Sequence, residues 1–288
     1  MLTTNCIAKV FSKNNIENVS NGDFSHLAKI VKAYTNNFNK VFTLADIFDF
    51  CFDILRKEYR NEYFYKNIIA NKLLMGRHSL SSSTMLSEFR VGGNKADCVI
   101  INQISTCYEI KTDFDNLNRL EGQLKSYLEL FDKVYVVVSD KHLETVSTLI
   151  PVEVGIINLT NKSTLKEIKK AEVVKRKLNI SMLMHSLRIE EYKYLVKSIY
   201  GYVPQVSNTE IFSACEELLL NCDNALVRTN YKKTLLKTRD IDKSFLYSLP
   251  SSLKITGINS DLKKQHREDL INNIHSTYSK DLLCTSLY

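Results

Sequence analysis

The chain has 288 residues, of which 44% are hydrophobic and 25% are charged, and this ordinary globular balance excludes general disorder. The length allows one large domain or two smaller ones. Because no uncharged apolar run reaches the ~18 residues of a membrane span and no signal-peptide pattern opens the chain, we predict a cytoplasmic protein without a membrane partner. Seven cysteines without a C-x-x-C pair favour reduced thiols over a zinc site. The net charge of +7 permits a polyanionic partner but does not prove one.

The N-terminal part of the chain is predicted to be helical. Apolar residues recur at helical spacing within residues 24–38. A second helical pattern begins after Thr43, a residue type that commonly caps helix N-termini. A third helical pattern covers residues 62–74. We therefore predict a helical N-terminal extension over residues 1–56 that precedes a different kind of core.

The period changes from helical to strand-like at Glu88. Five short β-prone runs follow, and helical patterns over residues 117–131 and 141–149 separate the later ones. The β-prone runs are residues 88–91, 96–101, 106–111, 134–138 and 154–159. This order of helix, β-meander, helix, strand, helix and strand predicts an α/β fold, with a mixed sheet flanked by helices, as a core over residues 57–162.

Beyond the core, residues 163–288 are predicted to form a basic, mainly helical C-terminal region. Six basic residues fall in its first short stretch, namely Lys166, Lys169, Lys170, Lys175, Arg176 and Lys177. Tyrosines are interleaved with the basic residues further along. The pattern fits a surface that binds a nucleic-acid backbone, and it equally fits a solvated helical face above core tyrosines.

Three residues of two neighbouring predicted strands suggest a metal site. Side chains two residues apart on a strand project from the same face, so Glu109 and Lys111 point together. Antiparallel pairing across the turn at 102–105 brings Asp97 beside Glu109 if the register allows it. Adjacent carboxylates repel each other unless a cation lies between them, and oxygen ligands suit Mg²⁺ or Mn²⁺. Each residue alone also fits a surface position, but their joint order favours the metal site.

The helix predicted over residues 117–131 adds further candidates. Its apolar stripe is Leu117, Leu120, Leu124, Leu128 and Phe131. On a 3.6-residue wheel, Tyr127 falls at one edge of this stripe and Gln123 just beyond it, where an amide can hold a water or a phosphate. Arg119 precedes Gln123 by one turn and suits either a phosphate contact or a surface salt bridge. Asp113 and Asp115 are expected to cap or start this helix.

The joint pattern resembles a known superfamily. Asp97, then Glu109-Ile110-Lys111, then Gln123-x-x-x-Tyr127 is similar to the PD-(D/E)XK nucleases, and the last element resembles their RecB-like exonuclease branch. The stretch 108–142 also resembles a bacterial family of largely uncharacterised proteins placed in that superfamily. The resemblance covers roughly residues 58–160. Ala96 rather than proline precedes Asp97, at a position that varies in the superfamily.

The resemblance implies a restriction-endonuclease-like fold and a role for each matching residue. Asp97 and Glu109 would bind the metal, Lys111 would assist catalysis, and Gln123 would position water or phosphate. The superfamily often adds a glutamate from the helix before the sheet. For that role Glu62 is the preferred candidate.

Glu88, at the start of the first predicted strand, is the alternative to Glu62, and an ordinary surface carboxylate is an equally good interpretation of either residue. The activity that the resemblance implies is Mg²⁺-dependent hydrolysis of DNA phosphodiester bonds, in defence against foreign DNA or in repair. A nucleic-acid-binding module that does not cut, and a protein-interaction adaptor on the same scaffold, are the alternative functions. The sequence leaves a homodimer open beside a monomer.

Overall fold

The structure, a computed structural model, describes residues 2–280, and the chain divides into two compact units. One unit, called here the helical unit, is formed by the residues up to Leu73 together with those from Asp242 onward. The other, the sheet unit, is Leu74–Ile241. The sequence-based boundaries after residues 56 and 162 therefore fall inside the units, and the division follows long-range packing instead.

The described residues form eight strands of three to eight residues. In chain order they are Val41–Thr43 (β1), Thr84–Val91 (β2), Asn94–Ile101 (β3), Ser105–Lys111 (β4), Lys133–Val138 (β5), Gly155–Leu159 (β6), Leu165–Lys169 (β7) and Thr277–Ser279 (β8).

The α-helices are distributed over both units. They are Thr4–Ala8 (α1), Lys13–Ser20 (α2), Ser25–Ala33 (α3), Leu44–Glu58 (α4), Glu62–Ile69 (α5), Leu120–Leu128 (α6), Leu143–Leu149 (α7), Ile180–Ser186 (α8), Ile189–Tyr200 (α9), Ile211–Leu220 (α10), Asn224–Thr238 (α11), Lys243–Ser248 (α12), Lys254–Ile258 (α13) and Lys264–His275 (α14). A π-helical segment, Ala70–Met75, continues α5. Among residues 2–280, none of these helices combines the length and the apolar character needed to cross a membrane.

The helical unit joins the two ends of the chain. Helix α4 begins with a capping box, in which Thr43 and Asp46 each accept a hydrogen bond from the other's backbone amide, as the sequence predicted for Thr43. Helix α14 packs against α2, and Asn273 donates a hydrogen bond of 2.8 Å to the carbonyl of Val19. Strands β1 and β8 pair antiparallel. The last described segment therefore completes the N-terminal helices and does not extend the basic region.

The sheet unit contains a six-stranded mixed sheet in the order β2-β3-β4-β5-β6-β7. Strands β2, β3 and β4 form an antiparallel meander, β4, β5 and β6 run parallel, and β7 returns antiparallel to β6. The β2–β3 connection has two residues, Gly92 and Gly93, and the φ of 58° at Gly92 is one that glycine adopts at little cost. The predicted α/β fold with a mixed, helix-flanked sheet is confirmed.

One face of the sheet packs against helices α6 to α11. Alternate strand residues supply its apolar side chains, among them Val99, Cys107 and Val136. The stripe predicted for α6 is confirmed, because Leu120, Leu124 and Leu128 are buried in this core, where Phe131 joins them, while Leu117 lies partly buried at its margin. Residues on the opposite face, such as Ile100, Ile110 and Val137, are also buried. Both faces of the central strands are therefore covered.

Helix α11 is fixed to the sheet through a buried carboxylate, Asp132. Its two oxygens accept hydrogen bonds from Arg228, from Lys232 and from the backbone amide of Ser105, at 2.8 to 2.9 Å. Burial alone would raise the pKa of Asp132, but these donors outweigh burial and lower it. A helix from the predicted C-terminal region is therefore anchored to the first residues of the central strands.

The other end of α11 is fixed by a second buried pair, Glu191 and Arg239. The guanidinium donates to both carboxylate oxygens, at 2.6 and 2.8 Å, and the side chains are only 5% and 18% exposed. The same guanidinium lies over the ring of Phe89 in β2, at 5.1 Å. Together with Asp132, this pair explains why residues 163–241 belong with the sheet.

Strand β7 corrects the prediction that the chain turns helical directly after residue 162. The chain reverses at Ser163, which has a φ of 58°, and Leu165–Lys169 forms an edge strand beside β6. The hydroxyl of Tyr135 donates to Glu167 on this strand at 2.5 Å. An edge strand in which three of five residues are charged and Ile168 is exposed has little of the apolar pattern from which strands are predicted.

The described cysteines are all free thiols, as expected for a protein with reduced cysteines. Cys284 lies outside the described residues.

We predict that Arg239→Ala lowers the free energy of unfolding by about 3–5 kcal/mol, because the substitution leaves the Glu191 carboxylate buried without its bidentate partner. Urea denaturation at pH 7 measures the effect. Lys233→Ala, which removes an exposed lysine from the same helix, is the matched control and should change stability by less than about 0.5 kcal/mol. Similar losses in both variants would contradict the assigned role of the buried pair.

The same pair should make stability depend on pH. Burial raises the pKa of Glu191, but hydrogen bonds from Arg239 and the Arg188 amide outweigh burial, so its pKa in the folded protein lies below the unfolded value of about 4.3. The stabilisation is therefore complete above that unfolded value and is lost as the pH falls through the folded pKa. We predict that the stability difference between wild type and Glu191→Gln shrinks as the pH falls from 5 to 3. Glu190→Gln, at an exposed neighbour, should show no such trend.

Candidate active site

The pairing of β3 with β4 decides which side chains meet. Cys98 lies opposite Tyr108 and Val99 opposite Cys107, so the same register, continued by one residue, sets Asp97 opposite Glu109. Residues that face each other in an antiparallel pair project from the same side of the sheet. The condition that the sequence placed on the register is therefore met, and the shared side is the one that α6 covers.

Glu109 is a deeply buried carboxylate that is 1% exposed. One of its oxygens accepts a hydrogen bond of 2.7 Å from the Lys111 ammonium, and the other lies 2.9 Å from the hydroxyl of Tyr127. Burial raises the pKa of Glu109, and the lysine and these hydrogen bonds offset the increase only in part. The negative charge of Glu109 is therefore under-compensated.

Lys111 links the strand to the helix. Its ammonium lies 2.7 Å from Glu109 and also donates a hydrogen bond of 3.0 Å to the side-chain oxygen of Gln123. Its side chain is only 8% exposed. The prediction that Gln123 reaches from the border of the apolar stripe toward the sheet is thus confirmed in its geometry, and Glu109, Lys111 and Gln123 form one hydrogen-bonded chain.

Tyr127 holds Glu109 from the helix side. Its hydroxyl oxygen lies 2.8 Å from the carbonyl oxygen of Lys95 and 2.9 Å from Glu109. The hydroxyl has one proton, which the Glu109 carboxylate and the Lys95 carbonyl share as acceptors. Burial first, and then the charges of Glu109 and Asp97, raise the pKa of Tyr127 far above its usual value. The tyrosine therefore stays neutral and acts as a hydrogen-bonding support.

Asp97 is half-buried, and its orientation is fixed by the backbone. One carboxylate oxygen accepts a hydrogen bond of 2.6 Å from the amide of Ile110. A carboxylate oxygen of Glu88 also lies within 4.8 Å of an oxygen of Asp97. Continued through β2 and β3, the register sets Glu88 opposite Asp97. A second carboxylate thus stands beside Asp97 on the exposed side of the cluster.

Glu88 differs from its prediction in position and conformation. The sequence placed it at the start of the first strand, but it lies inside β2, because residues 84–87 extend the strand in the N-terminal direction. Its φ of 52° is in the left-handed region, which costs a residue with a Cβ atom of order 1 kcal/mol. The exposed Glu88 side chain is therefore presented from a strained backbone.

Glu62 and Arg119 are the two remaining candidates from the sequence. Glu62 is the first residue of α5, in the helical unit, where its carboxylate forms an ion pair with Lys66 one turn later. Arg119 immediately precedes α6 in the sheet unit, and its carbonyl accepts the amide hydrogen bond of Gln123. Its side chain is exposed and therefore accessible to a phosphate, and the phosphate contact of Arg119 stays a prediction.

The segment after β4 corrects the expectation for Asp113 and Asp115. The helix begins only at Leu120, so neither residue caps it. Instead, the Asp115 carboxylate accepts hydrogen bonds of 2.7 Å from both the amide and the hydroxyl of Thr112 and closes a tight turn. Asp–Thr turns of this kind compete with helix capping in the same sequence pattern, which is why the sequence did not distinguish them.

The sequence did not identify the contact between Tyr127 and the carbonyl of Lys95, nor the hydrogen bond of 2.9 Å from Asn94 to Ser126. Both tie α6 to the start of β3. The available signal was the position of Tyr127 at the edge of the apolar stripe, where a buried ring can turn its hydroxyl toward a partner. Which partner it finds depends on the tertiary packing.

The sequence of this chain is similar to proteins of one phage family. A family model described as "Bacteriophage P4 protein cII" matches residues 55–255, well over half of the chain. Protein cII of Enterobacteria phage P4 is 34% identical over 145 residues, which are 49% of this chain and 53% of that protein. The chain thus spans about half the length of this curated relative.

One solved structure is a remote match. The SPO1766 protein of unknown function from Silicibacter pomeroyi is 16% identical, and the match covers 42% of this chain and 82% of that one with a TM-score of 0.29. A score this low does not inform on the fold. The family match is extensive by contrast, and the chain belongs to the bacteriophage P4 protein cII family.

Proposed function

We propose that this protein is a metal-dependent nuclease that hydrolyses phosphodiester bonds in DNA. The observation that supports the proposal most directly is the meeting of Asp97, Glu109, Lys111 and Gln123 from two strands and a helix on one side of the sheet. Because the name of the family states no activity, the proposal depends on this geometry and on the resemblance to PD-(D/E)XK nucleases.

The carboxylates of the site suit Mg²⁺ or Mn²⁺. Glu109 and Asp97 offer oxygen ligands on the same side of the sheet, and Glu88 adds a third carboxylate close to Asp97. Hard divalent cations prefer such an all-oxygen set. The raised pKa of Glu109 indicates that further positive charge beside it would be favourable. When bound, the metal would lower the pKa of a water molecule and neutralise charge on the phosphate.

The remaining side chains would bind and orient the substrate. The Lys111 ammonium can stabilise the negative charge that develops on the phosphate. The amide nitrogen of Gln123, which helps to stabilise the charge of Glu109, can also donate to a phosphate oxygen or a water, while its oxygen accepts from Lys111. Tyr127 keeps the Glu109 carboxylate in position. Arg119, exposed at the start of α6, is suited to a second phosphate.

The direct test incubates the purified chain with plasmid and with single-stranded DNA, in Mg²⁺, in Mn²⁺ and in chelator. We expect cleavage to require the metal. We also expect Glu109→Gln and Lys111→Met each to reduce the cleavage rate by at least about 10²–10³-fold, because each substitution removes charge from the reaction centre. Circular dichroism and thermal melting establish that the variants are folded.

Glu121→Gln and Lys125→Met, exposed positions on α6, are the matched controls and should keep full activity. Undiminished cleavage by both site variants would refute the site. Metal-independent DNA binding without cleavage would instead favour the non-cleaving module, and an absence of salt-dependent DNA binding would favour the protein-interaction adaptor.

We predict that Tyr127→Phe raises the Mg²⁺ concentration for half-maximal cleavage by about 10–100-fold, because the ring still fills the core while Glu109 loses the hydroxyl that orients it. A metal titration of the cleavage rate measures this shift. If the hydroxyl had only a structural role, Tyr127→Phe would lower the stability of the protein and leave the metal dependence of cleavage unchanged. That result would contradict the prediction.

A further inference from the structure

The connection between β7 and α8, residues 170–179, is a basic segment without regular secondary structure. It contains four basic residues and one acidic residue, Glu172. Its backbone is nevertheless fixed to the start of the parallel strands. The amide of Glu172 donates a hydrogen bond of 3.0 Å to the carbonyl of Glu153. The amide of Val174 donates one of 2.8 Å to the carbonyl of Asp132, so the basic segment is an ordered part of the sheet unit.

Buried apolar residues also hold the basic segment in place. Ala171, Val174 and Leu178 are only 3–5% exposed, and the last two belong to the core that contains α6. From helix α11, the Arg228 guanidinium donates a hydrogen bond of 2.9 Å to the carbonyl of Arg176. Because its backbone is already fixed, the basic segment loses little conformational freedom when its exposed side chains bind a ligand, and this favours binding.

Three lysines of the basic segment carry charges that the protein itself does not neutralise. Lys170, Lys175 and Lys177 are exposed. Within residues 2–280, none of their ammonium groups has an ion-pair or hydrogen-bond partner. Arg176 differs, since it pairs with Glu153. Two residues span at most about 7 Å, which is within the Debye length of about 8 Å at physiological salt, so Lys175 and Lys177 act together on an approaching anion.

The basic segment lies far from Lys111 of the candidate active site. Asp132 immediately precedes β5 and Glu153 lies two residues before β6, and both strands run parallel to β4. Lys111 is the last residue of β4, and it lies opposite Val138, six residues after Asp132. Six strand residues span about 20 Å. The basic segment and Lys111 are therefore at opposite ends of the parallel strands.

We propose that the basic segment binds the phosphodiester backbone of a nucleic acid, at a surface separate from the candidate active site. This inference goes beyond the proposed function, because it applies equally to a chain that cuts nucleic acid and to one that only binds it. Lysine ammonium groups bind phosphates as point charges, and the counterions that they release from the nucleic acid drive the binding. Such contacts carry no sequence information.

The structure of the basic segment favours a nucleic acid over a membrane of anionic lipids. Basic segments that lie on membranes are commonly helices with a wide apolar face toward the lipid. The basic segment is not helical, and three of its four apolar residues are buried in the protein. Its accessible surface therefore consists mainly of charge.

The test measures binding of fluorescent DNA duplexes by anisotropy in chelator, over a range of KCl concentrations and with two unrelated sequences. The variant carries Lys170→Gln, Lys175→Gln and Lys177→Gln together. It should bind more weakly at low salt than wild type. The slope of log K against log salt should become shallower by about 2.7, because each lost phosphate contact contributes about 0.9. Both sequences should show the same change.

The matched control carries Lys29→Gln, Lys32→Gln and Lys40→Gln, which remove the same charge from exposed positions of the helical unit. It should keep the wild-type slope. An equal change in both triple variants would show an effect of net charge alone and would overturn the proposal. An unchanged slope in the first variant would also overturn it, as would a wild-type protein that binds phosphatidylserine vesicles but no DNA.

Two further variants guard against a loss of folding, which thermal melting detects. Replacing Lys170, Lys175 and Lys177 by arginine keeps the charges and should keep the slope. Lys175→Gln alone is a milder change and should make the slope shallower by about 0.9. A wild-type protein whose DNA binding does not depend on salt would refute the proposal without any variant.

The result is separable from that of the proposed function, which is measured by cleavage in Mg²⁺. If wild type cleaves DNA and the triple variant of the basic segment keeps the wild-type slope, the nuclease proposal stands and this inference does not. If the slope depends on the basic segment while no metal supports cleavage, this inference stands on a protein that binds without cutting.

Discussion

A carboxylate buried as deeply as Glu109 is costly unless positive charge and hydrogen bonds surround it, and the sheet unit is arranged around that requirement. Lys111 supplies charge from the same strand, and Tyr127 supplies a hydroxyl from α6. Gln123 in turn holds the lysine. Because the contacts of Tyr127 and Gln123 need α6 to cover β4 in one particular position, the packing of the helix and the arrangement of the site are the same structural constraint.

The register of β3 on β4 is the second part of this constraint. A slip of one residue would turn Asp97 to the opposite face of the sheet. Alternation of polar and apolar residues cannot fix the register of β3, since both of its faces are buried. The turns fix the register instead. The connection before β3 has only two residues, and after β3 the side chain of Asn102 accepts a hydrogen bond of 2.7 Å from the amide of Ile104. The hydrogen bond from the Ile110 amide to the Asp97 carboxylate stabilises this register further.

Much of the sheet unit could be predicted from the sequence, because its signals are local. Strand alternation set Glu109 and Lys111 on one face, and the helical wheel placed Gln123 at the border of the α6 stripe. The left-handed backbone of Glu88 has no local sequence signal, and the unit division depends on pairings such as β1 with β8, more than 200 residues apart. Strand β7 was not predicted for a related reason. Its own sequence has little of the apolar pattern of a strand, and its pairing with β6 makes it one.

The interleaved order of the two units has a consequence for synthesis of the chain on the ribosome. The residues up to Leu73 emerge before the sheet unit, yet their own unit also needs the residues from Asp242 onward. The continuous sheet unit can therefore complete its fold while the earlier helices still lack α14 and β8. The helices that precede the sheet unit in the chain therefore reach their final packing after it, although they are translated before it.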